Sequence, residues 1–239
     1  MRFSLLQKEA GSMYRYNAFN NALPVAPRLP ILDDGNTACW YTFCDPSTLN
    51  LNGDGKVVSV NDISGNNRGL TSISLYGSHL PVPTVNGLSM TGTILKTAPF
   101  TLNQPEMVYV VFKHGETFNS QRQLFGGNNF DDMSLYINYA NTLHNTLAYG
   151  GNVLQFVSSY DPQKFILNKV LFNGNGSFLD VNGVRQSGNS GTAAGGGLTI
   201  GGLNFDFFGI VSEFIVRKIA DTTINEGIIT DYLKSKYSL

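Results

Sequence analysis

Charge is scarce in this chain. Asp, Glu, Lys and Arg make up 14 % of its 239 residues, against roughly a quarter in an average soluble protein. Sixteen basic residues face 17 acidic ones, for a net charge of −1, and the basic residues form no stripe. The phosphate attraction that drives nucleic-acid binding therefore has no source. No apolar run approaches the roughly 20 residues of a membrane-spanning helix, so membrane insertion is not expected. The opening MRFSLLQKEAG meets Lys8 and Glu9 too early for the apolar centre of a secretory signal. Unless a leader has been removed, export by the ordinary secretory route is not expected either. Cysteine is limited to Cys39 and Cys44. Their odd spacing in CWYTFC puts them on opposite faces of one strand. No disulfide is expected, the CxxC spacing of a metal site is missing, and both thiols read as small core residues.

Catalytic groupings are equally sparse. Glycoside hydrolysis needs two carboxylates about 5–10 Å apart, which on a strand means acids at alternate positions. The glutamates are Glu9, Glu106, Glu116, Glu213 and Glu226, and none has an acid two residues away. Asp131 and Asp132 are adjacent and would point apart on a strand. His79, His114 and His144 are scattered, without a neighbouring nucleophile motif, and read as surface or loop residues. The glycine-rich GTAAGGGLTIGG lacks G-K-[ST] and a following helix, so it reads as a flexible loop feeding a strand. Asn50 to Gly55 begins like a calcium loop, but the twelfth position is Asn61 rather than the bidentate Glu such a loop needs, which leaves a structural turn. The expectation is that the chain is not an enzyme.

What the chain has is glycine, 26 residues of it, and aromatics at 12 %, a composition suited to short strands joined by tight turns. CWYTF, KVVSV, MSLYIN and VLQFV read as strands. EMVYVVFK (106–113) is apolar on both faces, as a central strand of a sandwich would be. LNKVLFN and SFLDVN flank Gly174-Asn175-Gly176 as a hairpin. In GIVSEFIVRK (209–218), alternation places Val211, Glu213, Ile215 and Arg217 on one face. A helix is expected over 223–236, opened by a capping box of Thr223 and Glu226, with Ile224, Ile228, Tyr232 and Leu233 as its apolar face.

Residues 1–36 differ from the rest. Pro24, Pro27 and Pro30 favour extended chain, and Tyr14, Tyr16, Phe19, Leu23, Ile31 and Leu32 follow no period that builds a core. Ordering such a segment costs roughly 1–2 kcal/mol per residue, and only burial of its apolar side chains, about 1.5–3 kcal/mol each, offsets that. This predicts an N-terminal arm (1–36) that docks on another subunit or a larger particle, followed by one domain (37–239), with the protein acting as a homo-oligomer.

The order of elements resembles the concanavalin-A-like, laminin-G-like domains of phage virion proteins and bacterial surface proteins. The likeness rests on Trp40-Tyr41, Lys56-Val57 with Asp62-Ile63-Ser64-Gly65-Asn66, Val108-Tyr109-Val110-Val111-Phe112, Leu124-Phe125-Gly126-Gly127, Val181-Asn182-Gly183, Leu198-Thr199-Ile200-Gly201-Gly202 and the closing Tyr232-Leu233-Lys234-Ser235-Lys236-Tyr237. It covers residues 38–239. It departs from the family pattern at Val60, where an aromatic is common, and at Leu88 to Gly92, in place of a Phe-x-Gly step. The resemblance implies an all-β, antiparallel two-sheet jelly-roll sandwich with one C-terminal helix. It also implies a lectin-like structural protein of a virus particle (tail, fibre or head surface) that meets other virion subunits through its arm and binds cell-surface glycan. The alternative is a carbohydrate-binding module of a bacterial surface or secreted protein, and a third reading is a polysaccharide-cleaving enzyme. The ligand site it implies is the loop rim after Leu124–Gly127: Asn128, Asn129, Asp131 and Asp132, with Tyr136 and Tyr149 for stacking against sugar rings. Calcium at Asp131 and Asp132 is the one cofactor implied.

Overall fold

The computed structural model describes residues 29–239 apart from 75–78, 116–119, 130–131, 141–142, 159 and 204. Among the described residues, seventeen strands form two antiparallel sheets. Sheet A runs β15 (Val184–Gly188), β14 (Ser177–Val181), β13 (Ile166–Phe172), β8 (Glu106–His114), β17 (Phe208–Arg217), β6 (Gly87–Thr91) and β5 (Val82–Thr84). β1 (Thr37–Thr42) pairs with the second half of β17. Sheet B runs β12 (Val153–Ser158), β11 (Leu143–Tyr149), β10 (Ser134–Ala140), β9 (Arg122–Gly126), β16 (Thr199–Ile200), β7 (Thr93–Thr97), β4 (Leu70–Ser74), β3 (Val57–Val60) and β2 (Leu49–Leu51). The sequence reading of an antiparallel sandwich closed by one helix holds.

The main core lies between the sheets. Val108, Val110 and Phe112 of β8 meet Leu124, Phe125, Leu135 and Ile137 of sheet B there. The alternate residues Met107, Tyr109 and Val111 enter a second core on the outer face of sheet A. β8 is thus apolar throughout because both its faces are covered. The outer cover is α1 (Thr223–Tyr237) and a short 3-10 turn, Pro30–Asp33. Leu32 is 1 % exposed beneath them. The part of the expected arm that the structure describes therefore packs on its own domain, and residues 1–28 lie outside the described residues.

β17 departs from the simple alternation expected of it. Val211 pairs with Phe112 but Glu213 pairs with Val111, so Ser212 is an extra residue in a bulge that reverses which face follows. Val211 consequently joins the inter-sheet core with Phe214 and Val216, while Glu213, Ile215 and Arg217 face the helix. The helix also differs in detail. Its N-cap is Thr222, whose Oγ1 accepts from Asn225 N at 3.2 Å. Glu226 instead reaches across to Lys169 Nζ at 2.7 Å and to Arg185. Ile229 and Leu233 are buried, whereas Ile224 is 75 % exposed, so the buried stripe is rotated by roughly one residue from the expected one.

Several family-like motifs prove to be structural clasps. Asp62 accepts from Trp40 N, Ser64 N and Arg68 N, and Asn66 Nδ2 donates to Thr37 O and Ala38 O, tying this segment to β1. Asn52 Oδ1 closes the β2–β3 turn by accepting from Asp54 N and Lys56 N. Asn182 and Gly183, both with positive φ, make the tight β14–β15 turn. Cys39 and Cys44 are both free and buried.

Candidate functional site

Along β10, β11 and β12, successive described residues alternate between the inter-sheet core and the other face of sheet B. Leu135, Ile137, Ala148, Leu154 and Phe156 point inward. Their neighbours form a three-by-three grid on the outer face of sheet B. One row is Ser134–Tyr149–Val153, the next Tyr136–Leu147–Gln155, and the third Asn138–Asn145–Val157. Tyr149 is half-buried, and Val153 and Val157 are 59 % and 53 % exposed. Tyr136 is buried because Phe205, itself 39 % exposed, meets its ring edge-on at 6.2 Å. The grid therefore offers the Tyr149 ring one row from the Gln155 amide, with Phe205 against Tyr136 and Asn138 in the row beyond. The Asn145 side-chain oxygen is buried without a hydrogen-bond partner, so it is not open to the outer surface. Rings for apolar sugar faces and amides for hydroxyls are the groups a glycan surface needs.

The loop joining β9 to β10 borders this grid, and it carries the remaining expected residues. Their side chains are largely committed within the fold. Asn128 Nδ2 donates to Gly196 O at 3.1 Å and its Oδ1 accepts from Thr199 Oγ1 at 3.4 Å. Asp132 Oδ2 accepts from Asn129 N, Asn129 Nδ2 and Gly196 N at 2.8, 3.3 and 3.3 Å. Asp131 and the side chain of His144 lie outside the described residues. The two tyrosines and the asparagine–aspartate loop do meet at one end of sheet B, but the loop is a staple to the glycine-rich segment 191–197 rather than a set of open ligands. Calcium does not fit what is described: Asp132 Oδ2 already faces three N–H groups. No group of three His, Cys, Asp or Glu among the described residues could hold a metal ion.

The glycine-rich segment, expected to be a flexible loop, is hydrogen-bonded along its length. Ala193 N donates to Gly150 O, and Gly195 exchanges two bonds with Leu102. At Gly191, with φ +91°, an added Cβ would stand 2.1 Å from Gly150 O. Glycine is needed there for close backbone approach as well as conformation.

Two polar residues at opposite ends of β8 are buried, which nothing in the local sequence indicates. His114, expected at the surface, is 1 % exposed; its ring stacks on Tyr160 at 5.9 Å and its Nε2 lies 3.1 Å from the Tyr160 hydroxyl. Glu106 is fully buried and neither carboxyl oxygen has a hydrogen-bond partner. Burial pushes its pKa up to about 8, and the charge of Asp132 adds to that; the dipole of the Gly195 N–H opposes both. That N–H is itself bonded to Leu102 O at 3.0 Å, so it reaches Glu106 electrostatically only.

No protein-family model and no curated protein matches the sequence. Solved structures do resemble it. Domain 4 of AbnA, a GH43 extracellular arabinanase from Geobacillus stearothermophilus, in complex with arabinotriose, matches with a TM-score of 0.55 and 12 % identity, over 82 % of this chain and 97 % of that one. Trypanosoma rangeli sialidase gives a TM-score of 0.59 at 14 % identity, over 94 % of this chain. The receptor-binding domain of botulinum neurotoxin mosaic serotype C/D gives 0.56 at 10 %, over 84 %. This chain spans 51 % of the toxin domain and 38 % of the sialidase. At such identities the likeness establishes the fold: a concanavalin-A-like jelly-roll sandwich.

Proposed function

We propose that this chain is a non-catalytic, lectin-like domain that holds glycan against the outer face of sheet B. The observation that carries the proposal is the grid of β10–β12, where Tyr149 lies one row from Gln155, and Phe205 packs on Tyr136 in the row next to Asn138. Stacking on an aromatic face contributes about 0.5–1.5 kcal/mol beyond area burial in aromatic pairs. Truncating Tyr149 to Ala should therefore weaken binding to a responding glycan about tenfold, and Gln155→Ala should do so several-fold. Titration of arrayed neutral glycans, with circular dichroism to verify folding, measures this. Unchanged affinity in both folded variants overturns the site.

The finer reading rests on the family resemblance: a structural component of a virus particle, in tail, fibre or head surface, joined to its neighbours by the N-terminal arm. Residues 1–28 contribute Tyr14, Tyr16, Phe19 and other apolar side chains that are stable in order only where they find a surface. Light scattering should show a homo-oligomer for the full chain and a monomer after deletion of 1–28; equal masses defeat the assembly role. The second reading is a carbohydrate-binding module of a bacterial surface or secreted protein. Its support is the match along 97 % of an arabinanase domain seen with arabinotriose.

A further inference from the structure

Beyond the helix, sheet A has an uncovered outer patch at the far end of β8. One rung there is Lys113–Ile210–Ser89–Val82, and the next begins at Phe208 and Thr91. Lys113, Ile210, Ser89, Phe208 and Thr91, with Gln163 from the segment before β13, line a pocket of about 290 Å³. Ligand pockets start at roughly 300 Å³, so this one has room for a single sugar ring or a little more. Its polar side chains contrast with those of the β9–β10 loop. Among the described residues, Lys113, Gln163, Ser89 and Thr91 find no side-chain hydrogen-bond or ion-pair partner, and the described lining contains no Asp or Glu. Two described acids lie two residues from the lining, Asp161 and Asp206; Asp161 has its Oδ1 on Gln163 N at 2.9 Å. The apolar wall is Ile210 and Phe208, and the Arg122 guanidinium lies 5.0 Å from the Phe208 ring centroid.

We propose that this pocket is a second ligand site, distinct from the sheet B grid, and that it takes a carboxylated sugar. The chemistry is selective at each contact. An ammonium with no counter-ion among the described residues prefers an anion, and one inside a pocket is screened less than one on an open surface. Two hydroxyls and a primary amide, all uncommitted, suit the remaining hydroxyl groups of a pyranose. A branched aliphatic side chain and a ring edge cover its apolar face. A neutral sugar leaves Lys113 unpaired, and a bare anion leaves the hydroxyls, the amide and the wall unused.

The test uses isotope-labelled full chain, with glucuronic and galacturonic acid as probes and glucose, galactose, acetate and sulfate as controls at matched ionic strength. The acid sugars should shift the amides of Lys113, Gly115 and Gln163 and bind at least tenfold more tightly than the neutral sugars or the simple anions. Lys113→Gln should abolish that preference, Lys113→Arg should retain most of it, and Gln163→Ala, in an exposed loop, should weaken it several-fold. Tyr149→Ala should leave it unchanged, which separates this site from the sheet B proposal. Acid and neutral sugars binding alike, acetate or sulfate binding as well as the acid sugars, or Lys113→Gln and Gln163→Ala both leaving affinity intact would each overturn it.

Discussion

Replacing Glu106 by glutamine should stabilise the domain at pH 8 and leave it nearly unchanged at pH 4. In the folded chain burial holds the carboxyl protonated up to about pH 8, against an ordinary value of 4.5. Between those limits the unfolded chain has released a proton that the folded chain keeps. Stability therefore falls as pH rises through this window and is highest below about 4.5. Each pH unit above the unfolded value costs about 1.4 kcal/mol until the folded group ionises, so at pH 7.5 the deficit is on the order of 4 kcal/mol. Glutamine has the shape of the protonated acid and no proton to lose, so the variant escapes this slope. Denaturant unfolding of both proteins at pH 4, 6 and 8 measures it. Only the difference between them is diagnostic, because other carboxylates slope the opposite way: the guanidinium hydrogen-bonded to Asp34 holds its carboxyl well below the usual range. Parallel profiles for the two proteins would show that Glu106 is solvated or paired at neutral pH.

Arg217→Met should cost about 3–5 kcal/mol, the usual penalty for removing one partner of a buried pair. The arginine is fully buried at the end of β17. Its Nη2 pairs with Asp34 Oδ2 at 2.6 Å and Asp221 Oδ1 at 3.0 Å, and its Nη1 donates to Ile31 O and Thr37 Oγ1. The Asp221 side chain is itself fully buried, so losing the arginine strands a charge. Adding Asp221→Asn to the variant should therefore recover part of the loss, and Asp34→Asn alone should cost less, because that side chain is 25 % exposed. Guanidinium melts of the four proteins test this, and an Arg217→Met midpoint matching the parent would remove the network from the account of stability.

Much of the fold could be read because period and turn chemistry agree with it. Residues 107–112 are apolar at every position that two cores require, and SLYIN and VLQFV alternate as a half-covered sheet should. The same alternation carried the grid: Ser134, Tyr136 and Asn138 share a parity, as do Val153, Gln155 and Val157. Only the pairing register, a long-range property, places them side by side. What failed depended on single-residue geometry. Nothing local marks Ser212 as a bulge, and Thr222-Thr223 offers two equally good caps. The polar β9–β10 loop looked like a ligand rim because composition does not reveal whether an asparagine bonds inward or outward. Glu106 and His114 close the ends of an apolar strand, where charge normally signals exposure; here the covering loops and Tyr160 come from distant sequence.

The turn Pro30–Asp33 and α1 both lie on the outer face of sheet A, drawn together there by Arg217. The described chain thus begins and ends on one side of the sandwich, and the grid of β10–β12 lies on the other. A domain held by its first described residues presents Tyr149 and its neighbours away from the support. Many copies fixed side by side would turn these grids outward together, so that weak single contacts act jointly on a dense glycan coat.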